Sequence, residues 1–128
     1  MSLKAFVVED NVAIRESLIE ALFELADIET AGVAGDEKAA AAWLTNEANA
    51  WDIAIVDLNL ETGGSGFGVL QACRDRLPGQ KMVVLTGTAN PNVRQHCEKL
   101  GSDGVFDKAM ETDALLDFCV ALARAGQR

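Results

Sequence analysis

The sequence predicts an α/β protein, a three-layer α/β/α sandwich in which helices cover both faces of a five-stranded parallel sheet. Short aliphatic and β-branched runs alternate with segments whose apolar residues recur at helical spacing. Several of the short runs contain almost no polar residue, which is typical of parallel strands covered on both faces. Strands that alternate with helices form right-handed βαβ units, so one sheet is expected. The predicted strands are 3–8, 30–34, 53–56, 81–85 and 103–106.

The first two helices follow the first two strands. Residues 11–26 carry apolar side chains at helical spacing, which predicts a helix with one buried face. The inward residues of this helix are Ile14, Leu18, Ala21, Leu22 and Leu25. Asp36 can accept a hydrogen bond from a free N–H group of a first turn, so a second helix is expected to begin there. The inward residues of the second helix are Ala40, Trp43 and Leu44.

The other three helices are predicted from their ends and their apolar faces. Residues 67–77 form the third helix, which a Pro-Gly pair ends. Its inward residues are Val69, Leu70, Cys73 and Leu77. An Asn-Pro pair opens the fourth helix, and Gly101 closes it. Thr112 is expected to cap the last helix, which runs to about residue 125.

The composition is that of one acidic domain. With 128 residues, 49% of them hydrophobic, the range 1–128 is expected to form a single domain with one core. The net charge of −9 argues against binding to nucleic acid or to an anionic membrane, because both need clustered Lys and Arg. The cysteines Cys73, Cys97 and Cys119 form no CxxC pair, which is typical of a reduced, cytoplasmic protein.

Polar side chains collect where the predicted strands end. These residues are Glu9 and Asp10 after the first strand, Asp57 after the third, Thr86 at the end of the fourth, and Lys108 just past the fifth. The carboxyl ends of parallel strands meet at one edge of the sheet, where ligands of such folds bind. Each residue alone has an ordinary interpretation as a helix cap, a turn residue or a solvated side chain. Four strand ends that converge on one chemistry favour a functional site.

The residue types at this edge predict phosphoryl-transfer chemistry. Neighbouring carboxylates repel one another, and a bound cation relieves that repulsion. Mg²⁺ suits a small carboxylate site because it prefers oxygen ligands and keeps several waters. The ammonium of Lys108 and the hydroxyl of Thr86 add hydrogen-bond donors for an anion. Carboxylates, Mg²⁺ and anion-binding donors are the parts that phosphoryl transfer requires.

These residues resemble the motif set of response-regulator receiver domains, the phospho-acceptor domains of two-component signalling. The resemblance covers the whole chain. It rests on Glu9-Asp10, Asp57, Thr86 and Lys108 in this order, within the segments VVED, VDL, VVLTG and KLGSDGVFDK. It implies a flavodoxin-like fold with strand order 2-1-3-4-5. It also implies a signalling domain that promotes its own phosphorylation and dephosphorylation, and not an enzyme in the usual sense.

The resemblance gives each motif residue an implied role. Asp57 would accept a phosphoryl group from a histidine kinase or a phosphotransfer protein. The implied Mg²⁺ ligands are Glu9, Asp10, Asp57 and the backbone carbonyl of Asn59. Lys108 would pair with the phosphoryl oxygens, and the Thr86 hydroxyl would move toward them on activation.

The chain departs from the family pattern near the residues that transmit the signal. Ala109 stands where a proline usually follows the lysine, so a trans peptide bond is expected there. Val105 occupies the usual aromatic position, and Phe106 is expected to point to the other face of the strand. Gly87 replaces the commoner alanine. The loop LNLETGGSGFG lacks the usual proline and is one residue longer, which predicts an unusually pliable loop.

The expected mode of action is contact between a stand-alone receiver and an effector protein. The last helix is apolar round most of its circumference, through Leu115, Leu116, Phe118, Cys119, Val120, Leu122 and Ala123. One sheet face needs fewer apolar residues, so this helix is expected to form a homodimer or effector contact together with helix four and strand five. The ordinary interpretation is a deeply packed terminal helix.

Other functions stay open at this point. An adaptor that keeps the fold but acts without phosphorylation is consistent with the altered signal-transmitting residues. A hydrolase of the haloacid dehalogenase type is suggested by DLNLET, although Asn59 replaces its second acid and the loop follows the third strand. The segment GGSGFG lacks the lysine of a nucleotide-binding loop, which argues against nucleotide binding.

Overall fold

The structure, a computed structural model that describes residues 2–126, is built on one parallel sheet flanked by helices. The elements in chain order are β1 (Lys4–Val8), α1 (Val12–Ala26), β2 (Glu29–Ala34), α2 (Glu37–Leu44), β3 (Ile53–Val56), α3 (Gly66–Ala72), β4 (Lys81–Thr86), α4 (Pro91–Lys99), β5 (Gly104–Asp107) and α5 (Thr112–Gly126). The strand order is β2-β1-β3-β4-β5, and each neighbouring pair is parallel. This confirms the predicted three-layer sandwich and the 2-1-3-4-5 order.

The sheet is buried on both faces, which explains why its central strands are apolar at nearly every position. In β1, Phe6 and Val8 face a core shared with α2, α3 and α4. Ala5 and Val7 of the same strand face a second core shared with α1 and α5. β3 and β4 alternate between the two cores in the same way. The faces of the sheet are therefore filled, and its carboxyl edge is the place left for polar side chains.

The predicted helix starts are mostly confirmed by capping hydrogen bonds. Oδ1 of Asp36 accepts from the N–H of Ala39 at 2.8 Å, and Oδ1 of Asn90 accepts from the N–H of Val93 at 2.9 Å. The prediction for Thr112 is wrong, because this residue is the first residue of α5 and not its cap. Its hydroxyl instead donates to the Lys108 carbonyl at 2.9 Å, which ties the helix to the preceding loop.

Helix α3 is shorter than predicted. It ends at Ala72, and Leu77 is 69% exposed instead of buried. The physical reason is Arg76, whose guanidinium donates to the carbonyls of Cys73, Gln80 and Gly101 and to the carboxylate of Asp103. These hydrogen bonds, two of them to residues 25 and 27 positions away, hold the chain in a turn, and this turn directs Leu77 into solvent.

The buried face of α1 is narrower than predicted. Leu18, Leu22 and Ala26 form the buried stripe and are spaced four positions apart along the helix. Leu25 lies outside this stripe and is 60% exposed, and Ile14 is also exposed. The prediction that both residues face inward is therefore wrong. The predicted apolar faces of the second helix and of the third helix up to Cys73 are confirmed, because these residues lie in or against the core.

The apolar residues of α5 mostly pack within the chain. Leu115, Cys119 and Ala123 are buried, and Leu116, Phe118, Val120 and Leu122 are half-buried against the same core. The ordinary interpretation of a packed terminal helix therefore accounts for most of this surface. All three cysteines are free and buried. Within residues 2–126, no helix has the length and apolarity that crossing a membrane requires.

The different burial of Leu70 and Leu77 gives a stability prediction. Leu70→Ala is expected to lower the free energy of unfolding by about 2–5 kcal/mol, because it leaves a cavity in the core under α3. Leu77→Ala, at the exposed position, is expected to change it by less than about 0.5 kcal/mol. Urea unfolding followed by circular dichroism measures both. Equal losses would contradict the position found for the end of α3.

Candidate functional site

The carboxyl edge of the sheet brings together the strand ends that the sequence singles out. Glu9 and Asp57 leave the neighbouring strands β1 and β3 side by side, because Val8 pairs with the residue before Asp57. The N–H of Asp57 donates to the Val8 carbonyl at 2.9 Å, and this hydrogen bond fixes the point at which Asp57 leaves β3. The neighbouring strands β4 and β5 are joined at the same edge, because the N–H of Lys108, just after β5, donates to the carbonyl of Thr86, the last residue of β4, at 3.0 Å.

Three carboxylates lie together at this edge. Glu9 and Asp57 are only 4% and 5% exposed, and Asp10 is half-buried. One carboxylate oxygen from each of the three lies within 4.8 Å of the others. The N–H of Glu61, in the loop after β3, donates to Oδ2 of Asp10 at 2.5 Å. The predicted acidic cluster is therefore present, and the loop after β3 contacts it.

Lys108 bridges two of the carboxylates. Its Nζ lies 2.7 Å from Oε1 of Glu9 and 2.7 Å from Oδ2 of Asp57. Burial acts to lower the pKa of Lys108, but its hydrogen bonds to the two carboxylates outweigh burial and raise the pKa. Burial raises the pKa of Glu9 even though Lys108 and the N–H of Asn11 donate hydrogen bonds to it. The buried carboxylate of Glu9 is therefore incompletely compensated by its protein partners.

The arrangement of charges at this edge fits a cation. Three carboxylates against one ammonium leave an excess of two negative charges when all groups are ionised. The converging atoms are oxygens of Glu9, Asp10 and Asp57, the ligand type that hard divalent ions prefer. The chemistry and the spacing of the donor set therefore fit Mg²⁺.

Thr86 and Asn59 lie beside this cluster but make different contacts. The Thr86 side chain is fully buried, and its hydroxyl lies 3.1 Å from the hydroxyl of Thr88. The N–H of Asn59 donates to Oδ1 of Asp57 at 3.2 Å, so both oxygens of this carboxylate have protein partners. The structure thus brings Lys108 and the carboxylates into contact and leaves the Thr86 hydroxyl paired with Thr88.

The residues next to the site on β5 point to opposite faces, as predicted. Val105 packs against the core under α4, and Phe106 packs against the other core, with its ring 6.0 Å from that of Phe118. The peptide bond between Lys108 and Ala109 is trans. A Cβ added to Gly87 would meet no atom within 4 Å, so open space surrounds the backbone after β4.

An ion pair that the sequence does not predict joins α4 to the residue before α5. Nη1 of Arg94 donates to the Val105 carbonyl at 2.8 Å, and the same guanidinium pairs with Glu111. Glu111 also accepts from the N–H of Asp107 at 3.1 Å. The hydrogen bond from Arg94 lowers the pKa of Glu111. Sequence spacing could not reveal this pair, because Arg94 of α4 and Glu111, just before α5, lie 17 positions apart.

The fold and this edge define a flavodoxin-like α/β domain with a lysine-bridged carboxylate cluster at the carboxyl ends of its strands. The family model of the response regulator receiver domain matches residues 5–119. The chain belongs to the response regulator receiver domain family. This family consists of signalling domains and not of enzymes in the usual sense, which argues against the hydrolase alternative.

Known relatives agree with this assignment. The acid tolerance regulatory protein ActR of Rhizobium meliloti (strain 1021) is 35% identical over 75 residues, which are 59% of this chain and 37% of ActR. The match thus spans just over a third of that relative's length. The Francisella response regulator 1452 receiver domain has a TM-score of 0.80 at 22% identity, covering 98% of this chain and 99% of that one. The phosphorylated cyanobacterial phytochrome response regulator RcpA has a TM-score of 0.76 at 25% identity, covering 95% and 91%.

The bridge made by Lys108 gives a second stability prediction. Lys108→Met is expected to lower the free energy of unfolding at neutral pH by about 1–3 kcal/mol, because Glu9 and Asp57 lose their buried partner. The expected loss of stability is smaller than for a fully buried ion pair because Lys108 is partly exposed. Urea unfolding measures the loss. Lys99→Met, at an exposed position of α4, serves as the control, with an expected change under about 0.5 kcal/mol.

The pH dependence of this loss has a definite sign. The pKa of Lys108 is raised in the folded state, so the stability it adds is present below its ordinary value of 10.5 and is lost as the pH rises through the raised value. The difference in the free energy of unfolding between the wild type and Lys108→Met should therefore become smaller in alkaline solution. A gap of constant size across that range would show that the substitution acts through packing alone.

Proposed function

We propose that the chain is a phospho-acceptor of two-component signalling in which Asp57 takes a phosphoryl group from a histidine of a histidine kinase or a phosphotransfer protein. A carboxylate oxygen of Asp57 attacks phosphorus, the P–N bond to the donor histidine breaks, and the imidazole leaves with the bonding electron pair. The observation that carries the proposal is the position of Asp57, nearly buried, at the strand end and in contact with Lys108.

Mg²⁺ would be held by Glu9, Asp10 and Asp57 together with the backbone carbonyl of Asn59. When bound, the ion neutralises charge that builds up on the phosphoryl oxygens during transfer. The charge excess of the carboxylate cluster and its oxygen donors support this role. Glu9 and Asp10 directly follow the last residue of β1, so this strand positions both carboxylates at the edge of the sheet.

Lys108 and Thr86 would bind the transferred group. Lys108 already contacts Asp57 at 2.7 Å, so its ammonium is positioned to pair with a phosphoryl oxygen on that carboxylate. The Thr86 hydroxyl would leave its partner Thr88 and donate to another phosphoryl oxygen. This exchange of hydrogen-bond partners would carry the signal from the site to the backbone after β4.

The signal would be read by another protein. We infer that residues 1–128 act as a single receiver domain in the cytoplasm, and that the phosphorylated state is recognised by an effector through surface contacts. A receiver-like adaptor that acts without phosphorylation is the second candidate. It is supported by Val105, which stands at the usual aromatic position, and by Arg94, which binds the Val105 carbonyl.

Phosphorylation of Asp57 is directly testable. Incubation with acetyl phosphate and Mg²⁺ is expected to add one phosphoryl group to the wild type, measured by intact-mass spectrometry. Asp57→Asn is expected to lose the adduct, because the amide is a much weaker nucleophile than the carboxylate. Asp75→Asn is the matched control, since Asp75 is an exposed carboxylate outside the site. A wild type with no adduct would refute the proposal and favour the adaptor, and an adduct that persists in Asp57→Asn would refute Asp57 as the acceptor.

The surface of α4, β5 and α5 is the proposed contact for a second copy of the chain. Val120→Asp places a charge on the half-buried apolar side of α5 and is expected to abolish self-association of the phosphorylated protein in analytical ultracentrifugation. Phe23→Asp places the same charge on an exposed apolar position of α1 and is expected to leave association unchanged. If both variants associate like the wild type, this surface is not the homodimer contact.

A further inference from the structure

The glycine-rich loop after β3 is fastened to the start of α2. The N–H of Glu37 donates to the Gly63 carbonyl at 3.1 Å, and the N–H of Ser65 donates to Oε1 of Glu37 at 2.9 Å. The hydroxyl of Thr62 donates to the Gly35 carbonyl. Three contacts therefore hold this loop to the residues around Glu37, where the sequence alone predicts a pliable segment.

The glycines give Glu37 the room to make these contacts. A Cβ on Gly64 would lie 2.4 Å from Cβ of Glu37, and Gly64 has a φ of +77° that favours glycine. A Cβ on Gly68, in α3, would lie 2.3 Å from the carboxyl carbon of Glu37. The space beside Gly68 is thus filled by the end of the Glu37 side chain. Gly64 and Gly68 therefore leave the space that the Glu37 side chain occupies.

The fastened loop also contacts the acidic cluster. Ser65, which donates to Glu37, forms an antiparallel bridge with Asn59. The N–H of Asn59 donates to Oδ1 of Asp57 at 3.2 Å. One end of the loop is therefore held by α2, and the other end touches the carboxylate proposed as phospho-acceptor. A second contact to the cluster runs through the N–H of Glu61, which donates to Asp10 at 2.5 Å.

We propose that Glu37 is a positioning residue for the Mg²⁺ site: by holding Ser65, its carboxylate fixes the loop that orients Asp10, Asp57 and the Asn59 carbonyl. This role rests on the proposed function, since it assumes that these groups bind Mg²⁺. Glu37 itself touches neither the phosphoryl group nor the ion. Its effect is on the affinity for Mg²⁺, because a loose loop must be ordered again each time the ion binds.

The test compares two substitutions at Glu37 by isothermal titration calorimetry of the unphosphorylated protein with Mg²⁺. Glu37→Ala removes the acceptor for the Ser65 N–H and is expected to raise the Kd by about three- to tenfold, the size of effect that one hydrogen bond produces. Glu37→Gln keeps a side-chain oxygen as acceptor but removes the charge, and is expected to stay within about twofold of the wild type. Glu47→Ala removes a charge from the exposed loop before β3 and is the matched control.

Gly68→Ala tests the same contact from the other side. In the wild type, the added Cβ displaces the Glu37 carboxylate and is expected to raise the Kd as Glu37→Ala does. In the Glu37→Ala background the space is empty, so Gly68→Ala is expected to leave the Kd unchanged. It should raise the thermal midpoint there, since alanine favours a helix. A purely structural role for Glu37 would not produce this dependence of Mg²⁺ affinity on the background.

The outcomes separate this inference from the proposed function. If Glu37→Gln raises the Kd as much as Glu37→Ala, Glu37 acts through its charge and the positioning role is refuted. If Gly68→Ala weakens Mg²⁺ binding equally in both backgrounds, the contact with Glu37 is not the cause and the role is again refuted. If the wild type binds no Mg²⁺, or Asp10→Asn binds it like the wild type, the metal site itself is wrong and both proposals fall.

Discussion

The repulsion among three carboxylates at one edge of a parallel sheet is the constraint on which the rest of the site depends. The sheet leaves no alternative position, because both of its faces are filled by apolar side chains and only the strand ends can carry polar groups. Lys108 relieves part of the repulsion by bridging Glu9 and Asp57, while burial, with a smaller contribution from the charge of Asp57, raises the pKa of Glu9. A site balanced in this way responds strongly to any added charge, which suits the proposed control by an ion and a phosphoryl group.

Where β5 meets α4, hydrogen bonds to backbone groups connect the lysine loop to the surface of α4. An aromatic side chain usually stands at the position of Val105, and a side chain that changes its rotamer can report the state of the site. Here Arg94 binds the backbone carbonyl of Val105 and pairs with Glu111, which in turn binds the N–H of Asp107, next to Lys108. The connection between α4 and the lysine loop therefore runs through backbone groups. Backbone groups move with their whole strand or loop, so any coupling here would involve segments and not a single side chain.

The sequence predicted the parts of the structure that depend on local patterns. The strands, the caps at Asp36 and Asn90, and the meeting of Glu9, Asp57 and Lys108 follow from apolar runs, capping residues and the geometry of parallel sheets. Two features that the sequence does not predict involve contacts between distant segments. Helix α3 ends early because Arg76 binds carbonyls from three places, and the glycine loop is held by Glu37, which lies 28 positions before Ser65. Periodicity and motif spacing carry no information about such contacts.

The space shared by Glu37, Gly64 and Gly68 has a consequence for the evolution of related chains. Gly68 is required only while a long side chain occupies position 37, because a Cβ at position 68 would meet mainly the carboxyl end of that side chain. Gly64 stays required in either case, because its φ of +77° favours glycine. Once a shorter residue replaces Glu37, alanine at position 68 becomes acceptable and even favourable for the helix. Substitutions at the two positions should therefore appear in a fixed order along a lineage, first at 37 and then at 68. Chains that carry glutamate at 37 together with alanine at 68 should be rare, because the alanine Cβ would clash with the carboxyl group of the glutamate.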